Sequence, residues 1–150
     1  MSTTVASPAT GAAVPMADVP DPVFAQSMVG PGVAVEPEGG EQDALAPIAG
    51  TVVTLHPHAF VIAGEDGKGV LVHLGIDTVK QQGEGFTLHV VKGETVRAGQ
   101  PLIGWNPETV RAAGYSAVVP VVALDAQAGS LSGLPTGGPV VAGEQLFVWD

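Results

Sequence analysis

Short apolar runs separated by glycine and proline make up most of this chain. Runs of four to seven residues bounded by turn residues predict β-strands. They lie at residues 32–35, 50–55, 59–63, 69–73, 86–91, 101–105, 118–124 and 145–149. Residues 65–69, between two of these runs, are typical of a hairpin loop, because glycine supplies the positive φ of tight turns. The pattern predicts an all-β fold, a sandwich or a barrel of antiparallel strands.

Helix is predicted in two short segments. At residues 106–114, Asn106 has the side chain of an N-cap, Pro107 suits the first turn and Gly114 suits the exit. Residues 21–28 are expected to add one further turn. One or two short helices should therefore accompany the strands.

Two patterns occur twice in the chain. Pro-x-x-Gly leads into an apolar run at residues 7–11 and again at residues 46–50. Val-x-x-Gly-x-x-Leu occurs at residues 96–102 and again at residues 140–146. Such self-similarity indicates a β fold built by duplication. Chance is the alternative, because few matched positions are needed in a chain with 21 glycines.

The composition narrows the function classes. The chain has 150 residues, of which 45% are hydrophobic, enough for the core of one domain. The formal charge of −10 argues against nucleic acid and suits a basic protein partner. Cysteine is absent, and no segment reads as a signal peptide or a membrane span. We expect a soluble cytoplasmic protein without direct membrane insertion.

The residues around His73 are the strongest candidates for chemistry. His73 ends the apolar run 70–72, Gly75 follows two residues later, and Asp77 follows four residues later. A histidine in such a strand is often a core imidazole bonded to a carbonyl. Gly75, however, leaves room for a ligand or a partner backbone. Asp77 reads equally well as a structural residue (a solvated turn carboxylate or a helix cap) and as a charged group of a functional site.

Two further histidines lie fifteen or more residues upstream. His56 and His58 alternate, so they point to the same side of an extended chain, and Pro57 favours a strand edge or a strand start. Joined to the 69–73 run by a polar turn, this segment could bring His58 beside His73. His-x-His is also a zinc pattern. His89 reads as a solvated strand residue and is assigned no function.

Three kinds of chemistry use histidines of this kind, and two of them need motifs that the chain lacks. A serine hydrolase would need Gly-x-Ser-x-Gly, and a nucleotide enzyme would need a phosphate-binding glycine loop leading into a helix; neither occurs. Paired imidazoles without cysteine leave a zinc site or a phosphoryl acceptor. A neutral imidazole nitrogen can attack phosphorus, and a second imidazole can donate a hydrogen bond to the transferring oxygens.

At these residues the sequence closely resembles the glucose-family IIA component of the bacterial phosphoenolpyruvate-dependent sugar phosphotransferase system. The matching segments are residues 72–79 running on to 83–86, residues 58–60, residues 18–24 leading to 29–32, and residues 46–50. The resemblance implies a β-sandwich of the duplicated hybrid motif type, also called a barrel-sandwich hybrid. It places the domain at residues 5–150 and leaves residues 1–4 as a disordered tail.

The resemblance also implies a role for each site residue. His73 matches the histidine that accepts phosphate on Nε2 from the carrier HPr and donates it to a cysteine of the IIB domain of a glucose- or N-acetylglucosamine-type permease. His58 matches the histidine that stabilises the phosphoryl group. Asp21 and Asp77 match carboxylates that meet an arginine of the donor, with Gly75 in support. An apolar docking ring is implied at Phe24, Met28, Val29, Leu71 and Val79.

One position departs from the family pattern. His56 stands where many relatives have a threonine that orients the supporting histidine. No cofactor and no resident metal are implied, although His58 and His73 match two ligands of an intermolecular zinc ion in one regulatory complex of the family.

Two other functions compete with this interpretation. A zinc-dependent peptidase-like hydrolase of related β-sandwich fold would use His56 and His58 as its His-x-His pair, but the His-x-x-x-Asp segment that normally precedes the pair is missing. A biotinyl or lipoyl carrier would need a lysine in a Met-Lys-Met or Asp-Lys setting. Lys68, Lys80 and Lys92 have no such neighbours.

Overall fold

The computed structural model describes residues 2–150, and Met1 lies outside the described residues. Short strands account for most of its regular structure, with two short α-helices and three single turns of 3-10 helix at Met16–Asp18, Thr78–Gln81 and Ala128–Ser130. The strands are β1 (Thr3–Ala6), β2 (Gly11–Pro15), β3 (Gly32–Pro37), β4 (Gln42–Leu45), β5 (Gly50–His56), β6 (Ala59–Ala63), β7 (Gly69–His73), β8 (Thr87–Leu88), β9 (Thr95–Val96), β10 (Pro101–Trp105), β11 (Val119–Ala123), β12 (Leu131–Ser132), β13 (Pro139–Val140) and β14 (Gln145–Trp149). The helices are α1 (Pro22–Ala25) and α2 (Pro107–Ala112).

These strands form three antiparallel sheets. The largest has eight strands in the order β13-β2-β3-β11-β7-β6-β5-β9, and the other two have the orders β1-β14-β12 and β4-β10-β8. One apolar core joins the inner face of the large sheet to both small sheets. Its fully buried members include Val5, Val33, Phe60, Val72, Leu102 and Phe147. The predicted all-β antiparallel sandwich is confirmed.

The repeat read from the sequence is a structural duplication. In the first copy the amide of Ser7 donates to the carbonyl of Glu144 (2.8 Å), and the amide of Gly143 donates to the carbonyl of Ser7 (2.9 Å). In the second copy the same two bonds, of 2.9 Å and 2.8 Å, join Ala46 to Gln100 and Gly99 to Ala46. Each Pro-x-x-Gly turn is thus tied to its own Val-x-x-Gly turn.

Strand pairing repeats in the same way. β14 pairs with β1 as β10 pairs with β4, and both pairs have a register shift at the second residue of the longer strand. Both longer strands read Leu-x-x-Trp and place the indole in the core, at Trp105 and Trp149. The order of the large sheet is symmetric too, with β13, β2, β3 and β11 mirrored by β9, β5, β6 and β7. The predicted duplication is confirmed.

Both predicted helices are present and begin as expected. The side chain of Asp21 accepts the amide of Val23 at the start of α1 (2.9 Å), and a proline occupies the first turn. The side chain of Asn106 accepts the amide of Glu108 at the start of α2 (2.9 Å), again with a proline. Gly114 has φ +93° just beyond α2, the left-handed conformation that ends a helix.

Some sequence-based boundaries are wrong. Thr3 and Thr4, expected in a disordered tail, lie in β1 opposite Trp149 and Val148. The strand predicted at residues 86–91 shortens to β8. Six strands were not predicted, namely β1, β2, β4, β9, β12 and β13. They have two to five residues each, and β1, β4, β9 and β13 pair with strands far along the chain, so local patterning did not reveal them.

Candidate functional site

His73 is the last residue of β7 and lies opposite Ala59, the first residue of β6. Its ring is half-buried and contacts the ring of Phe24, with 5.3 Å between centroids. Its Nδ1 lies 2.5 Å from the carbonyl oxygen of Gly75. Because a carbonyl can only accept, Nδ1 carries the proton and Nε2 is left with a free lone pair. The ring is therefore held in the tautomer that exposes a nucleophilic Nε2.

Gly75 makes this hydrogen bond possible. Its φ is +81°, and a Cβ at this position would lie 2.7 Å from Thr78 Cγ2 and 2.8 Å from the carbonyl oxygen of Ser116. The Thr78 hydroxyl, fully buried, donates to the carbonyl of Leu74 (2.7 Å) and closes the loop from behind. A side chain at residue 75 would therefore move the carbonyl that orients His73.

His58 lies in the two-residue turn between β5 and β6. This turn consists of Pro57 and His58, since His56 pairs directly with Ala59. The carbonyl of His58 accepts the amide of Leu74 (2.7 Å), which ties the turn to the residue after His73. The two rings lie 5.1 Å apart at 72°, edge to face. The sequence-based expectation that these imidazoles lie side by side is met.

His58 is neutral at cellular pH. Burial, followed by the charges of His73 and His56, lowers its pKa from 6.5 to about 4. Burial also lowers the pKa of His73, against the opposing effects of the Gly75 carbonyl and of Asp21 and Asp77. Both imidazoles are thus unprotonated at one nitrogen near neutral pH, as a nucleophile and a neutral hydrogen-bond donor require.

His56 extends the pair to three imidazoles. Its ring lies nearly parallel to that of His58, with 5.7 Å between centroids and 22° between planes. His56 is exposed, at the end of β5. The fourth histidine, His89, directly follows β8 of a small sheet and pairs with Asp43 (2.9 Å).

The two carboxylates differ in their contacts. Asp21 caps α1, so one of its oxygens has a structural partner. Asp77 has φ +62° and stands at the N-cap of the 3-10 turn without accepting a capping bond. Its side chain is exposed. Asp77 therefore leaves its whole carboxylate to solvent or to a partner, which separates it from a simple helix cap.

The apolar residues expected to form a docking ring are unequally exposed. Met28 is 67% exposed and Val79 is 59% exposed, whereas Phe24 is only 8% exposed and packs against His73. Val29 and Leu71 are half-buried over a second apolar cluster. Val23 on α1 is exposed as well, and it was not predicted. A helix of four residues is too short to show an apolar periodicity, so the sequence offered no signal that Val23 faces outward.

An imidazole with a free Nε2 beside a second neutral imidazole, at a sheet end bordered by apolar side chains, has the groups that phosphoryl transfer through histidine requires. Residues 3–128 match the family model described as phosphoenolpyruvate-dependent sugar phosphotransferase system, EIIA 1. The chain belongs to this family, and it acts as a phosphocarrier of the sugar phosphotransferase system. The family resemblance read from the sequence is confirmed.

Individual relatives agree with this assignment. The chain is 41% identical over 121 residues to the glucose-specific EIIA component of Oceanobacillus iheyensis, across 79% of this chain and 72% of that protein. It is 42% identical over 124 residues to the glucose-specific EIIBCA component of Corynebacterium glutamicum, across 81% of this chain but only 18% of that longer protein. The structure of glucose permease IIA from Mycoplasma capricolum matches with a TM-score of 0.89 and 30% identity, over 99% of this chain and 96% of that one.

The zinc hydrolase alternative built on His56 and His58 gains no support from this assignment. Within residues 2–150, no group of three or more histidine, cysteine or acidic side chains is placed to hold a metal ion. Within the same residues, no helix has both the length and the apolar character needed to cross a bilayer.

Proposed function

We propose that His73 is the phosphoacceptor of this chain. The lone pair on Nε2 attacks the phosphorus of the phosphohistidine of HPr, the P–N bond of the donor breaks, and a new P–N bond forms on His73. A cysteine thiolate of a IIB domain then attacks the same phosphorus and breaks that bond. The observation that carries the proposal is the hydrogen bond from Nδ1 to the Gly75 carbonyl, which leaves Nε2 as the reacting atom.

In this proposal His58 stabilises the phosphoryl group. Its ring lies 5.1 Å from the His73 ring, and its N–H can reach an oxygen of a group attached to Nε2. The phosphoryl oxygens carry their charge through both transfers, so a neutral donor serves the incoming and the outgoing step. Gly75 supports both steps by holding the carbonyl that orients His73.

The surroundings of the site suit a basic protein partner. Asp77 offers an exposed carboxylate beside His73, and Asp21 adds a second negative charge. Met28 and Val79 provide the exposed apolar contacts, and Val29, Leu71 and the edge of Phe24 complete the surface at lower exposure. We assign this surface to docking of HPr and of the IIB domain in turn, through a shared set of contacts.

The sugar follows from the relatives by analogy. Two of them are glucose-specific by name, so we assign this chain to a permease of the glucose or N-acetylglucosamine type. Exchange of phosphate with HPr places the working protein in the cytoplasm.

The test is phosphorylation by phosphoenolpyruvate, enzyme I and HPr, followed by mapping of acid-labile phosphate. We expect one label at His73 in the wild type and none in His73→Ala. His89→Ala is the matched control, because it removes an imidazole from another sheet and should label normally. Label that persists in His73→Ala would overturn the assignment.

A further inference from the structure

The ring of His58 is oriented by other imidazoles. His73 meets it edge to face at 5.1 Å, and His56 lies nearly parallel to it at 5.7 Å. The side-chain hydrogen bonds made within residues 2–150 include one at the His73 ring and none at the His58 ring. Ring packing is therefore the contact, among those that the described residues make with the His58 side chain, that can restrict the direction of the ring.

Orientation matters for His58 because a neutral imidazole has only one N–H. That N–H must point at the phosphoryl group on His73 during transfer, and an imidazole turned about its side-chain bonds would present a lone pair to an anion instead. The backbone of His58 is already fixed by its two-residue turn and by the bond from Leu74. The side-chain torsions remain, and only a contact with the ring can restrict them.

We propose that His56 is a positioning residue for phosphoryl transfer, whose ring stacks on His58 and holds it edge-on to His73. This inference rests on the proposed role of His73 as phosphoacceptor. His56 suits the task because β5 pairs its last residue directly with Ala59, so its backbone is as well fixed as that of the turn it supports.

Stacking predicts which substitutions matter. Removal of the ring in His56→Ala frees the His58 ring, whereas His56→Phe keeps a flat aromatic partner and loses only the ring nitrogens. An aromatic pair contributes about 0.5–1.5 kcal/mol, which corresponds to a change in rate of roughly two- to tenfold. Since His56 is exposed, both variants are expected to fold, and their thermal unfolding midpoints provide the check.

The experiment measures single-turnover transfer from each phosphorylated variant to a purified IIB domain, after phosphorylation by HPr. We expect His56→Ala to donate two- to tenfold more slowly than wild type and His56→Phe to donate within about twofold of it. In His56→Ala, the NMR signals of the His58 ring protons should also shift towards the chemical shifts of an imidazole that rotates freely.

Two results would overturn the inference. Equal rates for His56→Ala and wild type would show that stacking does not support transfer, and a His56→Phe variant as slow as His56→Ala would assign the effect to a ring nitrogen. Mapping the label separates these results from failure of the proposed function. If wild-type protein carries its phosphate elsewhere than on His73, the acceptor assignment fails first.

Discussion

Two hairpins of one design, β2–β3 and β5–β6, hold equivalent places in the duplicated fold but are closed differently. The strands β5 and β6 are joined by Pro57 and His58 alone. The strands β2 and β3 are joined by residues 16–31, which contain a 3-10 turn and α1. The short loop holds the backbone of His58 in place, and the long loop supplies residues for a surface beside the histidines. The site uses both.

The hydrogen bonds show which residues correspond in the two halves. The amide of Leu74 donates to the carbonyl of His58 (2.7 Å), and the amide of Ala123 donates to the carbonyl of Pro31 (2.9 Å) in the same arrangement. The counterpart of His58 is therefore Pro31, and the counterpart of His73 is Val122, which is fully buried. The same backbone arrangement thus carries two imidazole side chains in one half and the apolar side chains of Pro31 and Val122 in the other.

The long closure of the first half folds over the histidines of the second. Phe24 packs in an apolar cluster with Val122 and also contacts the His73 ring at 5.3 Å. Met28 and Val23 face outward from the same segment. The two halves therefore contribute differently to the site. One holds His73, which we propose as the phosphoacceptor, and the other covers one side of its ring and presents apolar contacts.

The largest expected effect comes from replacing His58, whose counterpart in the first half is Pro31. His58→Gln should still accept phosphate on His73, because Nε2 of His73 and the hydrogen bond from its Nδ1 to the Gly75 carbonyl are untouched. The glutamine amide is a flexible donor that the neighbouring rings do not hold, so onward transfer to a IIB domain should slow by up to roughly 100-fold, the scale of losing one well-placed donor to a charged transition state. Single-turnover quench measurements of both steps test this. His89→Gln is the control, and unchanged onward transfer in His58→Gln would contradict the role given to His58.

The next effect concerns the glycine that orients His73. Gly75 and Gly85 both have positive φ, but a Cβ at Gly75 would collide with Thr78 and Ser116, whereas a Cβ at Gly85 meets nothing within 4 Å. Gly85→Ala should cost about 1–2 kcal/mol for the left-handed backbone alone. Gly75→Ala should cost roughly 2 kcal/mol more because of overpacking, and it should also slow acceptance of phosphate. Urea unfolding compares the two variants, and equal losses would disprove the crowding argument.

The sequence predicted the fold and the histidine cluster because the deciding signals are local. Val70 and Val72 lie on one face of a strand and His73 lies on the other, in a run that leads to Gly75. Asp21 and Asn106 each precede a proline at a helix start. The alternation of His56 and His58 placed both on one side of the chain, but the near-parallel stacking of their rings and the burial of Phe24 could not be read this way. They depend on how residues 16–31 and the Pro57–His58 turn pack in space, which no spacing along the chain expresses.

A smaller effect separates capping from charge at Asp21. Asp21→Ala should destabilise the protein by about 1 kcal/mol through loss of the α1 cap, as Asn106→Ala should for α2. Asp21→Asn keeps an oxygen that can accept from Val23, so it should cost only a few tenths of a kcal/mol. Thermal unfolding of the three variants tests this. If Asp21→Asn is as unstable as Asp21→Ala, the charge rather than the cap supports the fold.

The smallest expected effect is the acid sensitivity of one half of the duplication. Pro31 and Val122 do not titrate, whereas the pKa of His58 falls from 6.5 to about 4 on folding. Between these values the unfolded chain binds more protons than the folded one, so stability at this site is retained above pH 6.5 and declines as the pH falls towards 4. Carboxylates add their own acid dependence, so the comparison must be made between variants. Urea unfolding at about pH 7 and about pH 5 should show a smaller acid loss in His58→Gln than in wild type, because glutamine takes up no proton. An identical loss in both proteins would mean that the buried imidazole is not what makes this half sensitive to acid.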